Sequence, residues 1–145
     1  MKRKFNLRVY GIVISPDQKI VVSDEVYPPH SFTKFPGGGM EWGEGTIDCL
    51  KREFQEEFNL QIEVGELIYF TDFFQQSAFR KEDQIVSIYY EVKWNRDFDL
   101  IFANSDIFRG NEGNLLRLIS LNEITSNDLT FPIDKYVLDL ILKTN

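Results

Sequence analysis

The sequence predicts two helices around a mixed sheet, arranged either as an α+β fold or as a three-layer α/β/α domain. Three observations support this prediction: β-rich apolar stretches recur along the chain, one central segment has helical spacing of its apolar residues, and a proline opens a second such segment near the end. A chain of 145 residues can bury a core without disulfides or a structural metal. We therefore expect residues 1–145 to form a single domain.

The first elements are predicted to be a strand, a turn and a returning strand. Residues 7–15 read LRVYGIVIS, and both alternating faces are largely apolar, which is typical of a central strand covered on both sides. Residues 15–18 (SPDQ) have proline in the second place of a turn. The returning strand is expected over residues 19–22.

A loop, an extended segment and a break are predicted next. The two consecutive prolines in residues 26–30 (VYPPH) exclude a regular element, so this segment is predicted to be a loop. Residues 31–35 are predicted to be extended. Residues 36–39 (PGGG) predict a break in regular structure, at which the backbone can come very close to another group.

Residues 45–58 contain the strongest helical signal. Gly45 and Thr46 are suitable caps, and Asp48 suits the positive end of the helix dipole. Apolar residues at spacings of three, four and four form a stripe that we expect to be buried, namely Ile47, Leu50, Phe54 and Phe58.

The second half of the chain is predicted to contain three strands and a closing helix. The strands are expected over residues 61–70, 84–94 and 115–121. The polar, glycine-bearing residues 97–114 are expected to form an irregular loop. Pro132 suits the first turn of a helix, whose inward residues are predicted to be Ile133, Tyr136, Val137, Leu140 and Ile141.

Composition and charge exclude several classes of protein. The net charge of −7 and the pI of about 4.7 repel phosphodiester backbones, so nucleic acid is not an expected partner. The single cysteine, Cys49, excludes a disulfide framework and a cysteine zinc site. The start of the chain lacks the apolar run of a signal peptide, and no stretch has the roughly 20 apolar residues of a membrane helix. We therefore expect a cytoplasmic protein without a membrane partner.

Three carboxylates project from one face of the predicted helix. Glu53, Glu56 and Glu57 are related by spacings of i, i+3 and i+4. Their mutual repulsion costs stability unless a cation neutralises it. Oxygen ligands without a nearby histidine or cysteine favour a hard ion, Mg²⁺ or Mn²⁺. Backbone groups of the preceding glycines can contact such an ion or a phosphate.

The spacing around these carboxylates resembles the Nudix box, G-x5-E-x7-R-E-U-x-E-E-x-G-U, in which U is a bulky apolar residue. The resemblance covers residues 38–60, and the six matching residues are Gly38, Glu44, Arg52, Glu53, Glu56 and Glu57. Phe54 and Leu60 fill the apolar places. Asn59 stands where the box has its last glycine, directly after the helix, where asparagine tolerates the left-handed conformation. We expect this departure to cost little stability and no catalysis.

Nudix enzymes are α/β/α sandwiches with a central mixed sheet, and they use a divalent metal to hydrolyse a nucleoside diphosphate linked to another moiety. The resemblance therefore implies this fold and a small nucleotide as substrate: a nucleotide sugar, ADP-ribose, a dinucleoside polyphosphate or a nucleoside triphosphate. The implied metal ligands are Glu53, Glu56, Glu57 and the carbonyl of Gly37 or Gly38. Arg52 is expected to orient the carboxylates, and Glu44 to support either the junction of loop and helix or an outer shell of the metal. The backbone of Gly38 and Gly39 is expected to bind substrate.

The resemblance leaves the general base open. In some Nudix enzymes it is a box glutamate, here Glu53, which we prefer. In others it is an acid on a loop beyond the box, for which the candidates are Glu82, Asp83, Asp97, Asp99 and Glu112. Substrate specificity is expected in three loops outside the box, over residues 23–34, 73–83 and 95–114.

Other residues invite a functional interpretation. Cys49 lies one turn before Glu53, and we expect a small packed thiol there rather than a metal ligand or a redox switch. His30, the only histidine, lies beside two prolines, and we expect it to have no function. Most aromatic residues of so small a domain must lie in the core, and the candidates for stacking on a base are Phe32, Trp42, Phe73 and Phe74.

Three alternatives share the implied fold. A catalytically silent domain that senses nucleotides has no chemical need for three repelling carboxylates, so their retention argues against it. An isomerase of isoprenoid diphosphates needs a catalytic cysteine outside the box, whereas Cys49 lies inside it. A hydrolase of RNA ends needs a basic groove, whereas lysine and arginine are scattered except in residues 1–4. A homodimer is the default expectation for the oligomeric state.

Overall fold

The computed structural model describes residues 2–94 and 96–144, except for the side chain of Glu112. The strands in this part of the chain are β1 (Lys4–Ile12), β2 (Lys19–Tyr27), β3 (His30–Lys34), β4 (Gly37–Gly39), β5 (Ile62–Phe70), β6 (Asp83–Trp94), β7 (Ile107–Arg109) and β8 (Leu115–Ser120). The α-helices are α1 (Thr46–Phe58), α2 (Phe98–Phe102) and α3 (Pro132–Thr144). None of these helices is long and apolar enough to span a membrane.

The strands form two four-stranded sheets. The first has the order β4-β1-β6-β5 and is mixed, because β1 and β6 run parallel while the other pairs are antiparallel. The second has the order β3-β2-β8-β7 and is antiparallel. The predicted α/β class with a mixed sheet is confirmed, and a second sheet, not foreseen in the sequence, lies beside the mixed one.

Strand β1 is covered on both faces, as its two apolar faces predict. Val9 packs in a core cluster with Leu50 and Phe54 of α1, whereas Tyr10 packs in a second cluster with Val137 of α3. The predicted bounds of 7–15 are shifted. The strand begins at Lys4 because it pairs in parallel with β6 from Asp83 onward, and beyond Ile12 only an isolated bridge from Ile14 to Ile20 continues it.

The loop predicted over residues 26–30 is confirmed only at Pro28 and Pro29, and the returning strand predicted over 19–22 is too short. Strand β2 continues to Tyr27 and pairs with β3 from His30 onward. Pro28 and Pro29 occupy the two places between the paired residues. Because a turn residue need not donate a hydrogen bond to the ladder, the prolines end each strand without preventing the hairpin.

The break predicted over residues 36–39 is wrong for the last three of them, because Gly37–Gly39 form the edge strand β4. This strand pairs antiparallel with β1, with Gly38 opposite Val9. Gly37 has a φ of +147°, and a Cβ on it would lie 2.0 Å from the carbonyl oxygen of Val9. The close approach of backbone expected here is therefore confirmed, and it is what allows strand pairing.

Helix α1 forms where the sequence predicts it. Leu50, Phe54 and Phe58 are buried, but the fourth residue of the predicted stripe, Ile47, is 41% exposed. Cys49 is fully buried instead, and burial raises the pKa of its thiol to about 12, which agrees with a packed thiol. Asn59 ends the helix in the left-handed conformation, with a φ of 54°.

The irregular loop predicted over residues 97–114 contains regular structure. The Asp97 side chain accepts a hydrogen bond from the backbone N–H of Asp99 and begins α2, whose Phe98 and Phe102 pack on Trp94. Strand β7 then pairs with β8. All of these partners lie within ten positions of one another, but the polar, glycine-bearing composition of the segment did not indicate them.

Helix α3 begins at Pro132, as predicted. Of the residues predicted to face inward, Ile133, Val137 and Ile141 are buried. Tyr136 is 42% exposed and Leu140 is half-buried, while Leu138 and Asp134 are buried in their place. The buried face of α3 is therefore rotated relative to the predicted one.

Candidate active site

The Nudix-like segment forms one continuous surface in which strand β4 lies against helix α1. Helix α1 packs on β4, β1 and β5 through the apolar residues of its buried face. This packing presses the Glu53 side chain, 13% exposed, against the backbone of Gly38. A Cβ on Gly38 would lie only 2.4 Å from the carboxyl carbon of Glu53, so only glycine leaves room for this carboxylate.

Arg52 joins the loop to the helix through its guanidinium group. Nε and Nη2 donate to the two carboxylate oxygens of Glu44 at 3.0 and 2.7 Å, and Nη2 also donates to the carbonyl of Gly39 at 3.0 Å. Nη1 donates to Glu53 and to Glu56, each at 3.1 Å. Hydrogen bonding to Arg52 lowers the pKa of Glu44 to about 2. Glu44 is therefore a permanent anion that fixes the arginine fork.

Glu57 has an unsatisfied oxygen. Its Oε2 is buried and has no hydrogen-bond partner among the described residues. Burial is the main cause that raises the pKa of Glu57 to about 7, and the nearby carboxylates of Glu25 and Glu53 act in the same direction. A buried carboxylate oxygen without a donor is costly unless a cation or a proton satisfies it.

Lys34 provides a buried positive charge beside Glu57. It is 3% exposed, and its Nζ lies 2.9 Å from Glu25 Oε2 while it donates to the carbonyl of Gly37 at 3.0 Å. Burial favours the neutral amine, but the combined attraction of Glu25, Tyr10 and Glu57 outweighs burial and the pKa of Lys34 is raised. The Gly38 carbonyl lies instead 3.9 Å from the buried Cys49 Sγ. Of the two carbonyls left open by the sequence, that of Gly37 thus faces the charged groups.

The carboxylates fit a divalent cation by their chemistry but are not drawn together into a ligand set. Within residues 2–94 and 96–144, no three histidine, cysteine or acidic side chains are close enough to hold a metal ion. Glu56 is 61% exposed and turns toward Arg52, which also holds Glu53. The oxygen groups that fit a hard ion are Glu53, Glu57 with its unsatisfied Oε2, and the Gly37 carbonyl.

A cavity of about 150 Å³ begins where this charged cluster ends. Arg8, Lys34 and Glu25 line it on the charged side, and a cluster of phenylalanines lines it elsewhere. Phe32, Phe79 and Phe131 have ring centroids 5.2 to 5.9 Å apart. Such a space, apolar with a few polar groups, is typical of a site for a small aromatic ligand.

The buried wall of the cavity contains Asp134. Its Oδ1 accepts a hydrogen bond from the Tyr89 hydroxyl at 2.5 Å, and its Oδ2 accepts one from the Phe35 N–H at 3.4 Å. Burial raises the pKa of Asp134 to about 6. Both carboxylate oxygens are therefore used in positioning the wall.

The aromatic residues and the histidine considered in the sequence analysis lie in different places in the structure. Phe32 lines the cavity, Trp42 is fully exposed, Phe73 packs on Tyr136, and Phe74 is mostly exposed. His30 is exposed, with its ring 5.9 Å from that of Phe79.

The four described loop acids, Glu82, Asp83, Asp97 and Asp99, do not line the cavity. Asp83 is buried in β6 and lies 3.6 Å from Arg80 Nε. The side chain of the fifth candidate, Glu112, lies outside what the structure describes. Of the candidates whose side chains the structure describes, Glu53 is the one that lies in the charged cluster.

Sequence reasoning missed the basic residues and the buried acid of this site. Arg8 is a charge within an apolar strand, Lys34 lies three residues before Gly37, and Asp134 has the position of an ordinary acid in the first turn of a helix. The interruption of apolar alternation at Arg8 was the one signal available. The partners of Asp134, Tyr89 and Phe35, come from distant segments, whereas Arg8 and Lys34 bond to residues near them in the sequence.

Comparison with known proteins identifies one family for this chain. A family model described as NUDIX domain matches residues 4–140. The mRNA-decapping protein OPG122 of Variola virus (isolate Human/India/Ind3/1967) is 33% identical over 110 residues, which cover 72% of this chain and 41% of that protein. The chain thus spans about two fifths of the length of this relative.

Solved structures share the fold. The E. coli ORF135 protein has a TM-score of 0.74 and 19% identity, with 97% of this chain and 91% of that chain covered. The MutT protein from Methanosarcina mazei Go1 has a TM-score of 0.69 and 14% identity, with 100% and 98% covered. At these identities the likeness concerns the fold alone.

Proposed function

Because the chain belongs to the NUDIX domain family, we propose that it is a metal-dependent pyrophosphohydrolase that cleaves a nucleoside diphosphate linked to another moiety. In this reaction water attacks one phosphorus of the anhydride. The new P–O bond forms as the bridging P–O bond breaks, so the products are a nucleoside monophosphate and the phosphorylated second moiety. The protons of the water are released to a base and then to solvent.

The observation that supports this proposal most directly is the unsatisfied Oε2 of Glu57 beside the Glu53 carboxylate and the Gly37 carbonyl. In our proposal these groups and Glu56 hold a divalent cation, Mg²⁺ or in its place Mn²⁺. When bound, the cation supplies positive charge that offsets the phosphate and makes water easier to deprotonate. A chain with a net charge of −7 needs such an offset to bind an anionic substrate.

The roles of the chain's own residues follow from their contacts. Glu53 is the proposed base, since its carboxylate lies against Gly38 on the side of α1 that faces strand β4. Arg52 prevents Glu53 from turning away and is itself fixed by Glu44. The backbone of Gly38 and Gly39 faces the substrate, and the phenylalanine-lined cavity takes the base of the nucleotide.

A second candidate substrate, the cap of an mRNA, is favoured by the similarity to a viral mRNA-decapping protein. A cap dinucleotide contains a triphosphate between two nucleosides and so belongs to the proposed substrate class. The charge of −7 argues against extended contact with an RNA backbone. Comparing the hydrolysis of a cap dinucleotide with that of capped RNA therefore distinguishes recognition of the cap from recognition of the RNA.

The test is hydrolysis of a panel of nucleotides with Mg²⁺ or Mn²⁺, with both products identified by chromatography. The panel contains ADP-ribose, UDP-glucose, diadenosine tetraphosphate, GTP and the m7GpppG dinucleotide. Glu57→Gln is compared with Glu66→Gln, which changes an exposed glutamate on β5. We expect metal-dependent release of a nucleoside monophosphate that Glu57→Gln abolishes and Glu66→Gln preserves. Tight metal-dependent binding without hydrolysis would instead identify a nucleotide sensor.

We also propose that residues 1–145 form one domain, since the two sheets contribute residues to shared core clusters, as Tyr89 of the mixed sheet and Ile20 of the antiparallel sheet do. A single cooperative unfolding transition in urea is expected. A homodimer and a cytoplasmic location are predictions from the sequence, and sedimentation equilibrium measures the first of them directly.

A further inference from the structure

Arg8 lies where the charged cluster meets the cavity. It belongs to the central strand β1 and lines the cavity together with Lys34 and Glu25. Its Nε donates to the Tyr10 hydroxyl at 2.6 Å, which fixes the plane of the guanidinium. Its Nη1 lies 3.5 Å from the place that a Cβ on Gly39 would take. The guanidinium is thus held between the glycine strand and the aromatic cavity.

The outer nitrogens of this guanidinium are not used by the protein. Within residues 2–94 and 96–144, neither Nη atom of Arg8 has a hydrogen-bond acceptor, and no carboxylate oxygen lies within 4.0 Å of it. The other cations of the site are occupied: Arg52 donates to three carboxylates and a carbonyl, and Lys34 is paired with Glu25. Arg8 therefore presents the free donors on the cavity side of the cluster.

We propose that Arg8 binds a phosphoryl oxygen of the substrate, on the nucleoside side of the bond that is cleaved. The inference rests on the proposed function and deepens it. A guanidinium fork matches two phosphate oxygens, and the phosphate chain of a nucleotide with its base in the cavity passes Arg8 before it reaches the carboxylates. Arg8 thus selects ligands that have a phosphate directly beside the nucleoside in the cavity.

The test compares Arg8→Met, which keeps much of the apolar stem, with Arg8→Lys, which keeps the charge but loses the fork. Arg3→Met is the control, because it removes the same charge from an exposed residue that lies just before the same strand. Steady-state kinetics on the nucleotide panel give KM and kcat separately. Calorimetry with α,β-methylene-ADP and Mg²⁺ gives a binding constant that does not depend on turnover.

For Arg8→Met we expect KM and the Kd for α,β-methylene-ADP to rise roughly 10- to 100-fold while kcat stays within about threefold. This result is expected because the charge-assisted contact that is lost is present both in the bound substrate and in the transition state. Arg8→Lys is expected to lie between Arg8→Met and wild type, and Arg3→Met to match wild type. Metal affinity without nucleotide is expected to be undiminished in all three variants. The melting temperature identifies any folding defect. If Arg8→Met has such a defect, the KM and Kd of Arg8→Lys test the proposal in its place.

Two results overturn the proposal in different ways. If wild type hydrolyses and binds nucleotides while both Arg8 variants keep KM and Kd within twofold of Arg3→Met, Arg8 does not bind phosphate and the proposed function stands. If wild type neither hydrolyses the panel nor binds α,β-methylene-ADP, the proposed function fails and the role of Arg8 fails with it.

Discussion

Replacing Gly38 by alanine tests whether the position of the Glu53 carboxylate matters. The added Cβ would lie 2.4 Å from the carboxyl carbon of Glu53 and 2.5 and 2.6 Å from its oxygens. Ordinary contact begins near 3.4 Å, so the carboxylate must recede by about 1 Å. The obstacle is the end of a side chain rather than backbone, and Gly38 has no positive φ. The change therefore displaces one functional group with little strain in the fold.

The expected magnitude follows from this displacement. Misplacing a catalytic group by about 1 Å can lower the rate roughly 100-fold, which corresponds to about 2.7 kcal/mol in activation free energy. The free energy of unfolding is expected to change by less than about 1 kcal/mol, or roughly 2 to 4 °C in melting temperature for a chain of this size. Gly37→Ala is expected to lose more stability than Gly38→Ala, because its Cβ would lie 2.0 Å from the carbonyl oxygen of Val9 and Gly37 has a φ of +147°.

The assay is kcat on the nucleotide that wild type cleaves, together with thermal unfolding. Gly45→Ala is the control, because its Cβ approaches nothing closer than 3.9 Å. That control is expected to keep kcat and to lose about 0.5 to 1 kcal/mol of stability at the N-cap of α1. A kcat of Gly38→Ala within threefold of wild type would show that the position of the Glu53 carboxylate does not matter. A melting temperature as low as that of Gly37→Ala would show instead that the alanine disturbs the fold.

Three further predictions concern the metal, the arginine fork and pH. Mg²⁺ at about 100 times its Kd is expected to stabilise wild type by about 2.7 kcal/mol in thermal unfolding, and Glu57→Gln, unlike Glu66→Gln, is expected to lose most of this gain; an undiminished gain in Glu57→Gln would place the cation elsewhere. Arg52→Lys is expected to lower hydrolysis roughly 10- to 100-fold, because an ammonium cannot replace the fork on Glu44; wild-type activity in this variant would contradict the bracing role. The pKa of Asp134 is raised by burial to about 6 in the folded protein, so the folded state binds more protons than the unfolded state between pH 4 and 6 and stability falls as pH rises. Between pH 4 and 7, the free energy of unfolding of wild type in urea is expected to fall by up to about 3 kcal/mol relative to that of Asp134→Asn. A difference in unfolding free energy that does not change with pH would show that Asp134 titrates normally.

The helical part of the site could be predicted from the sequence because its geometry is local. In an α-helix, residues three and four apart lie on one face, so the spacing of Glu53, Glu56 and Glu57 placed them together before any tertiary contact was known. The left-handed end of the helix at Asn59 follows in the same way from a single residue. The family resemblance depends on these same spacings.

The glycine segment shows where local reasoning ends. Its composition indicated close approach of backbone, and the structure has that approach, but as the paired strand β4 rather than a break. A run of three glycines has no intrinsic preference for a strand. The pairing exists because β1 offers a free edge, and β1 is held in register by the distant strand β6. The hairpin of β2 and β3 was missed for a different reason, since its two prolines indicated a loop but occupy only the turn between the strands.

The helix, the spacing of its carboxylates and the family can be identified from the sequence, because all three depend on residues within one stretch of 23 positions. The groups that surround those carboxylates depend on tertiary contacts. Arg8 from β1, Lys34 from β3 and Asp134 from α3 meet at one cavity because two sheets and a helix pack together, and such contacts between distant segments leave no periodic trace in the chain. The local spacing thus specifies the charged cluster, and the packing of distant segments specifies the groups that face its substrate.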